Sequence, residues 1–374
     1  MKFLCLKENL EKALVIAERF TGKNVTLPIL GNILLETDET MLYVTATNLE
    51  YAVRIRIPGK VSRRGKVSVP AKIISSLIQS TRSDKIDLEE KGGNLFIKTD
   101  QRDSIINGIS AEDFPLLPKI KKAAFFVLDH SSLTDGLSKV LPAVSLSEFK
   151  PELNGVFFKV SGGLLYLAAT DTFRLAEKVL ELTDKPQDGE ISFILPQRIA
   201  QELARLPAKE ELTVSLGDNQ VLFETGEIKI ISRLIEGNFP EYSGIIPKSF
   251  EITSFIKKNE LIEAVRSSSI FVSKLQEVRL NLGSQTLEIS SANPEVGEYK
   301  TRLEVQSSGK GISANSGQED GAGLNFNFRY LLDGLNSLDD KEVFLGLNSD
   351  NAPTMLRNKE DGSFKYVLMP IRVS

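Results

Sequence analysis

Tryptophan is absent from the 374 residues, and there is one cysteine and one histidine. Cys5 has no internal disulfide partner; its place beside Phe3 in an alternating stretch predicts a buried strand thiol, in keeping with a reducing cytoplasm. Zinc sites built from several thiolates or imidazoles are excluded. Any Ser/His or Cys/His nucleophilic pair would have to use His130, which stands at the end of a predicted strand just before a helix, where a solvated or capping role is expected. No apolar run approaches the ~18 residues that span a bilayer, and the N-terminus lacks a signal-peptide pattern, so no membrane partner is expected. Gly59–Lys66 has glycines wrongly spaced for a phosphate-binding loop and reads as a hairpin turn. No catalytic residue, metal or cofactor is expected.

Charge is nearly balanced, at 46 Lys and Arg against 50 Asp and Glu, net −4. Residues 1–124 hold 20 cations against 15 anions, and the remainder 26 against 35, so the first third is net +5 and the rest −9. Such a chain does not grip nucleic acid by bulk charge, although basic residues gathered on one face remain compatible with it. Length predicts two or three domains.

A threefold repeat dominates what is present. Leu42-Tyr43-Val44-Thr45-Ala46-Thr47-Asn48 recurs as Leu165-Tyr166-Leu167-Ala168-Ala169-Thr170-Asp171 and as Leu287-Glu288-Ile289-Ser290-Ser291-Ala292-Asn293, at offsets of 123 and 122 residues. A second triplet follows each: Val69-Pro70-Ala71-Lys72-Ile73, Leu195-Pro196-Gln197-Arg198-Ile199 and Phe326-Asn327-Phe328-Arg329-Tyr330. Repeats this long are whole domains. The Asn or Asp at 48, 171 and 293 reads as architectural, since three active sites in one chain would be unusual.

Each repeat opens on a short strand, then an amphipathic helix with Leu10, Leu14 and Ala17, Leu133 and Leu137, or Leu261, Ala264 and Val265 at helical spacing. Asn9, Ser131 or Ser132, and Asn259 are the expected N-caps. Hairpin strands follow, then the second triplet's strand-to-helix junction, then further alternating strands. This pattern indicates an α+β fold with antiparallel sheets. Linkers are expected near Leu117–Ala124 and Ile246–Phe250. Gln306–Gly323, rich in Ser, Gly and Asn, reads as a flexible hairpin loop.

The repeats, Leu27-Pro28-Ile29-Leu30-Gly31-Asn32, Leu153-Asn154-Gly155-Val156, Ala169-Thr170-Asp171-Thr172-Phe173-Arg174-Leu175-Ala176 and the terminal Tyr366-Val367-Leu368-Met369-Pro370-Ile371-Arg372 together resemble the bacterial DNA polymerase III β-subunit family, the replicative sliding clamps. The resemblance runs from Met1 to Ser374. It implies three DNA-clamp domains (1–120, 124–247 and 250–374), with helices lining a ring and sheets outside. It further implies a cytoplasmic, non-enzymatic, head-to-tail homodimer that encircles duplex DNA without sequence preference. Implied partners are DNA polymerase III and other polymerases, the clamp loader, and repair proteins bearing clamp-binding peptides.

By that resemblance, DNA contacts map onto Lys23, Asn24, Lys72, Ser147 and Lys150. Lining-helix candidates are Lys12, Lys72, Arg82, Arg198, Arg205, Lys257, Arg266 and Arg329; an ordinary solvated helix face is the alternative for each. The partner-peptide groove maps onto Leu153, Thr170, Thr172, Phe173, Arg174, Leu175, Pro240, Ile245, Leu275, Val367, Leu368, Met369, Pro370, Ile371, Arg372 and Val373, with Arg174 and Arg372 expected to fix peptide polar groups. The subunit joint maps onto Ser104 and Ile106 in the first domain and Ile270 and Phe271 in the third, with Ile106 and Ile270 as anchors. Two other readings stay open here: a carboxylate-dependent hydrolase built of repeats, and a repeated scaffold that binds protein only.

Overall fold

A computed structural model describes residues 1–22, 27–100, 102–118, 120, 124–147, 149–184, 189–207, 211–309 and 322–372. Two compact units are present. One comprises Met1–His130, Thr183–Pro186 and Lys209–Leu234; the other comprises Ser131–Leu182, Gln187–Ala208 and Ile235–Ser374. The middle repeat therefore contributes strands to both.

In the first unit a five-stranded sheet has the order Lys60–Arg63, Lys2–Leu6, Lys85–Lys91, Asn94–Lys98, Asp103–Ile106. Beside it an eight-stranded sheet runs Ala124–Asp129, Glu211–Leu216, Gln220–Thr225, Ile228–Arg233, Tyr51–Pro58, Met41–Thr47, Asn32–Thr37, Gly65–Pro70. Its repeat-to-repeat seam is the antiparallel pairing of Ile228–Arg233 with Tyr51–Pro58. Helices α1 (Lys7–Glu18) and α2 (Ala71–Gln79) pack together. On α1, Leu10, Leu14 and Ala17 are buried as their spacing requires; on α2, Ala71, Ile74, Ser75 and Ile78 are.

The second unit holds α3 (His130–Val140), α4 (Gln197–Ala204), α5 (Lys258–Ser268) and α6 (Phe328–Asn336). Its nine-stranded sheet runs Ile191–Pro196, Gly155–Ser161, Leu164–Thr170, Arg174–Glu181, Phe364–Leu368, Thr354–Asn358, Glu342–Leu347, Ile252–Lys257, Gln306–Gly309. A four-stranded sheet runs Gly297–Glu304, Thr286–Asn293, Glu277–Leu282, Ala322–Asn327. The seam here pairs Arg174–Glu181 with Phe364–Leu368. Every strand pairing between these named strands is antiparallel, as the α+β reading expects. Among the described residues no helix is long and apolar enough to cross a membrane.

Several local expectations need correction. Asn9 and Asn259 are not N-caps: α1 starts two residues before Asn9 and α5 one residue before Asn259, and Leu6 and Lys257 precede the helices without a side-chain cap bond. Each strand runs straight into its helix, and a neighbouring carbonyl takes the first amide: Lys7 N donates to Asp84 O at 2.8 Å, and Lys258 N to Lys341 O at 2.8 Å. The first orphan donor of each helix thus finds a backbone partner. Ser131 and Ser132 likewise lie inside α3.

Gly59–Lys66 is no simple turn, since Lys60–Arg63 pairs with Lys2–Leu4 as an edge strand. Gln306–Gly309 is also an edge strand, on Ile252–Phe255, and 322–323 begin another; the rest of that predicted loop, 310–321, lies outside the described residues. Edge pairing uses backbone groups, so it leaves no apolar periodicity to read. Of the first predicted linker, 119 and 121–123 lie outside the described residues, and the second is no free linker because Ile246 and Phe250 pack on a hydrophobic core. His130 is buried rather than solvated, 3.4 Å from the Thr225 hydroxyl, and burial lowers its pKa against the opposing pull of Asp129. Cys5 is buried as expected, and burial pushes its thiol up to about 12.

Gly334 sits inside α6 against the ring of Tyr366, where a Cβ would stand 2.5 Å from Cδ1. Alanine would gain up to ~1 kcal/mol in helix propensity but lose ~1–3 kcal/mol to overpacking. Gly334→Ala is therefore expected to lower stability by about 1–2 kcal/mol, read as a reduced denaturant midpoint with an unchanged slope.

Candidate functional site

The first recurring triplet resolves into a hydrogen-bonded turn. In the middle repeat, Asp171 Oδ1 accepts from the amides of Phe173 and Arg174, each at 3.0 Å. Thr170 Oγ1 accepts from Thr172 N at 3.1 Å and donates to Arg174 O at 2.7 Å. These bonds hold Thr172 at φ +79°, a left-handed conformation that a β-branched residue adopts only under constraint. The first repeat matches it: Asn48 Oδ1 accepts from Glu50 and Tyr51, Thr47 Oγ1 bonds Leu49 N and Tyr51 O, and Leu49 stands at φ 78°. In the third, Asn293 Oδ1 accepts from Glu295 N. The Asn and Asp side chains are turn-formers, as their recurrence suggests.

Beside the middle turn lies a cavity of about 260 Å³. Leu153, Thr170, Thr172, Phe173, Arg174, Leu175, Pro240, Ile245, Val367 and Met369 line it, all of them predicted groove residues. Leu153, Leu175 and Val367 are buried, while Phe173 and Ile245 are exposed. One wall comes from the chain after Asn238, which crosses the nine-stranded sheet from Phe157 to Phe344. Phe239 stacks on Phe157 at 4.7 Å, Tyr242 meets both rings edge-on, and Ile246 and Phe250 pack on the same core. The C-terminal segment supplies the other wall and is tied at two points: Met369 N donates to Phe173 O at 2.9 Å, and Ile371 N to Asn325 O at 2.7 Å.

Other predicted groove residues lie off the cavity. Leu275 is exposed but does not line it. Leu368 follows Val367 on a strand, so alternation turns it to the opposite face. Pro370 is buried elsewhere, Ile371 is occupied as a bridge to the four-stranded sheet, Arg372 is exposed outside the lining, and Val373 lies outside the described residues. Lys150, assigned to DNA from the sequence, lines the cavity, as do Glu152, Asn238 and Tyr242, which sequence reasoning missed. The signal for Tyr242 was its spacing from Phe239 in an aromatic pair that needs a surface to cover. Burial and then the Glu177 carboxylate push its phenol well above the ordinary range.

Arg174 differs from expectation. Its Nε donates to Asp171 Oδ2 at 2.9 Å and its Nη1 to Asp333 Oδ2 at 2.5 Å, with Tyr366 OH at 3.4 Å. The guanidinium lies 4.2 Å from the centroid of Tyr330, and the side chain is 11% exposed. Burial opposes its charge, but Tyr366, Asp333 and Asp171 more than compensate and raise its pKa. It is held by its own protein and is not a free anchor for ligand polar groups.

The basic candidates lie on exposed surface: Lys12, Lys72, Arg82, Arg198, Arg205, Lys257, Arg266 and Arg329. Lys72, Arg198 and Arg329 each occupy the second residue of their helix, on α2, α4 and α6. Arg198 and Arg205 flank the buried Glu202 at 3.4 and 3.7 Å; Lys12 pairs with Glu8 and Lys257 with Glu260. Ser147 and Lys150 are exposed, whereas Lys23 and Asn24 lie outside the described residues.

Asp103–Ile106 is an edge strand, as is Gly297–Glu304 in the second unit. Ile106 is buried at 5% exposure, opposite Leu95, and so cannot anchor a joint. Its neighbour Ile105, 61% exposed beside Phe96, points the other way; the expectation slipped by one residue, which on a strand changes the face. Ser104 is half-buried, Ile270 is exposed, and Phe271 stacks on Tyr299; the last two sit in a 3-10 turn that follows α5 rather than in a helix.

Family descriptions for the N-terminal, central and C-terminal domains of the DNA polymerase III beta subunit match residues 1–118, 127–241 and 243–372. The chain is 29% identical to the beta sliding clamp of Synechocystis sp. over all of both chains, and 27% identical to that of Staphylococcus epidermidis over 93% of each. Its fold matches the sliding clamp (DNA polymerase III subunit beta) of Pseudomonas aeruginosa, solved bound to griselimycin, with a TM-score of 0.93 at 27% identity over the whole of both chains. A Bacillus subtilis clamp structure shares the fold at a TM-score of 0.91. Three consecutive domain matches in order, on a fold of three clamp domains, place this chain in the DNA polymerase III beta subunit family.

Proposed function

We propose that this protein is a DNA polymerase processivity factor: a homodimeric ring that encircles duplex DNA and tethers the replicative polymerase, without chemistry of its own. Its three domains are proposed to span 1–120, 124–247 and 250–374. The observation that carries the reading is the cation at the second position of α2, α4 and α6. A helix N-terminus disfavours positive charge by about 0.3–1 kcal/mol, so the helix dipole gives no reason to put one there three times. A sequence-independent phosphate track does. Pairing of Arg198 and Arg205 with Glu202 keeps that contact weak, which suits a protein retained by enclosure. Neither a hydrolase nor a protein-only scaffold accounts for this placement.

The groove beside Thr170–Arg174 is proposed to take short apolar peptide segments of DNA polymerase III, other polymerases, the clamp loader and repair proteins. The edges Asp103–Ile106 and Gly297–Glu304 are proposed to meet between copies, with Ile105 and Ile270 as apolar anchors; a heterologous contact whose rotation closes makes a ring. The buried, unreactive Cys5 and the DNA partner support a cytoplasmic setting.

Reversing charge at Lys72, Arg198 and Arg329 together is expected to cut the amount loaded onto circular DNA at least ~10-fold at low salt. Wild type, once loaded, should slide off when the circle is linearised, and unchanged loading of the variant would remove the DNA-facing assignment. Ile105→Asp should convert the assembly from about twice 41.3 kDa to a single chain by light scattering, while a persisting dimer would place the joint elsewhere. Truncation after Leu368 is expected to weaken binding of a polymerase-derived peptide at least ~10-fold, a loss of 1.4 kcal/mol or more, with the dimer mass intact; equal affinity would place that peptide elsewhere.

A further inference from the structure

The three copies of the recurring turn close on different residues. Where the middle copy has Arg174, the first has Tyr51 and the third Val296. The first copy forms the same hydrogen bonds without an arginine, so turn formation does not require one. Arg174 nevertheless lines a cavity whose other walls are largely apolar, and a buried guanidinium there would attract acidic ligand groups. What prevents this is on α6: Asp333 accepts from Nη1 at 2.5 Å, and Tyr330, one turn earlier, lies under the guanidinium plane. Tyr366 braces the arrangement by donating to Tyr330 O at 2.9 Å.

We infer that Asp333 is a specificity-determining positioning residue, which draws the guanidinium of Arg174 onto α6 and so leaves the groove selective for apolar over acidic peptide side chains. The inference rests on the groove being the peptide site. Asp333 does not line the cavity, and it acts only through Arg174. Without the negative charge at 333, Nη1 loses its charge-assisted bond and can turn to a ligand carboxylate, while Nε stays on Asp171 and Tyr366 lies 3.4 Å away.

The test uses the full-length protein and two labelled hexapeptides, one with two adjacent leucines and one with the second leucine replaced by aspartate. Wild type is expected to prefer the leucine peptide. In Asp333→Asn that preference should shrink by about tenfold, the size of one charge-assisted hydrogen bond, mainly because the aspartate peptide gains. The gain should fade with added salt, vanish when Arg174→Gln is combined with Asp333→Asn, and be absent in Asp333→Glu. An unchanged preference in Asp333→Asn, or equal losses for both peptides, would reduce Asp333 to a structural residue and overturn the inference. Wild type binding neither peptide would overturn the groove reading itself, and this inference with it.

Discussion

Backbone pairing between strands of different repeats is the interaction on which this structure depends. Ile228–Arg233 of the middle repeat hydrogen-bonds to Tyr51–Pro58 of the first, and Arg174–Glu181 of the middle repeat to Phe364–Leu368 of the last. Each seam turns two modest sheets into one of eight or nine strands, with apolar residues buried along the joined faces. The contact units therefore ignore the repeat boundaries. A middle repeat shared between two sheets is held at both ends by main-chain bonds, which leave side chains on either face free for other work.

The candidate groove is built on the second seam. Leu175 and Val367 are cross-strand partners there, and both line the cavity. The chain after Asn238 then covers the sheet with an aromatic series, beneath which Glu177 pairs with Lys365 at 2.9 Å. Burying Glu177 is tolerable because the partly exposed Lys365 matches its charge. The same repeat logic that joins the sheets thus places a turn, a crossing segment and the C-terminal strand around one space.

Much of this was legible in the residues. Helical spacing of Leu10, Leu14 and Ala17 identifies a buried face, and the triplets locate equivalent turns and helix starts. What stayed hidden was whatever depends on a partner distant in sequence. Nothing near Arg174 reveals that Asp333 will hold it, because the two are 159 residues apart in the chain. Edge strands such as Gln306–Gly309 carry polar side chains and betray no pattern. On the strand Asp103–Ile106, the sequence Ile105-Ile106 offers no alternation to tell which isoleucine faces inward, and the burial of Leu95 on the neighbouring strand decides it.

The helix starts have a consequence for how such chains diverge. Asp84 and Lys341 serve the amides of Lys7 and Lys258 through their carbonyls, and Leu6 and Lys257, which precede those helices, make no side-chain cap bond. Main-chain solutions of this kind survive substitution of nearly every side chain around them. A fold anchored that way can keep a TM-score of 0.93 while only 27% of its letters remain the same.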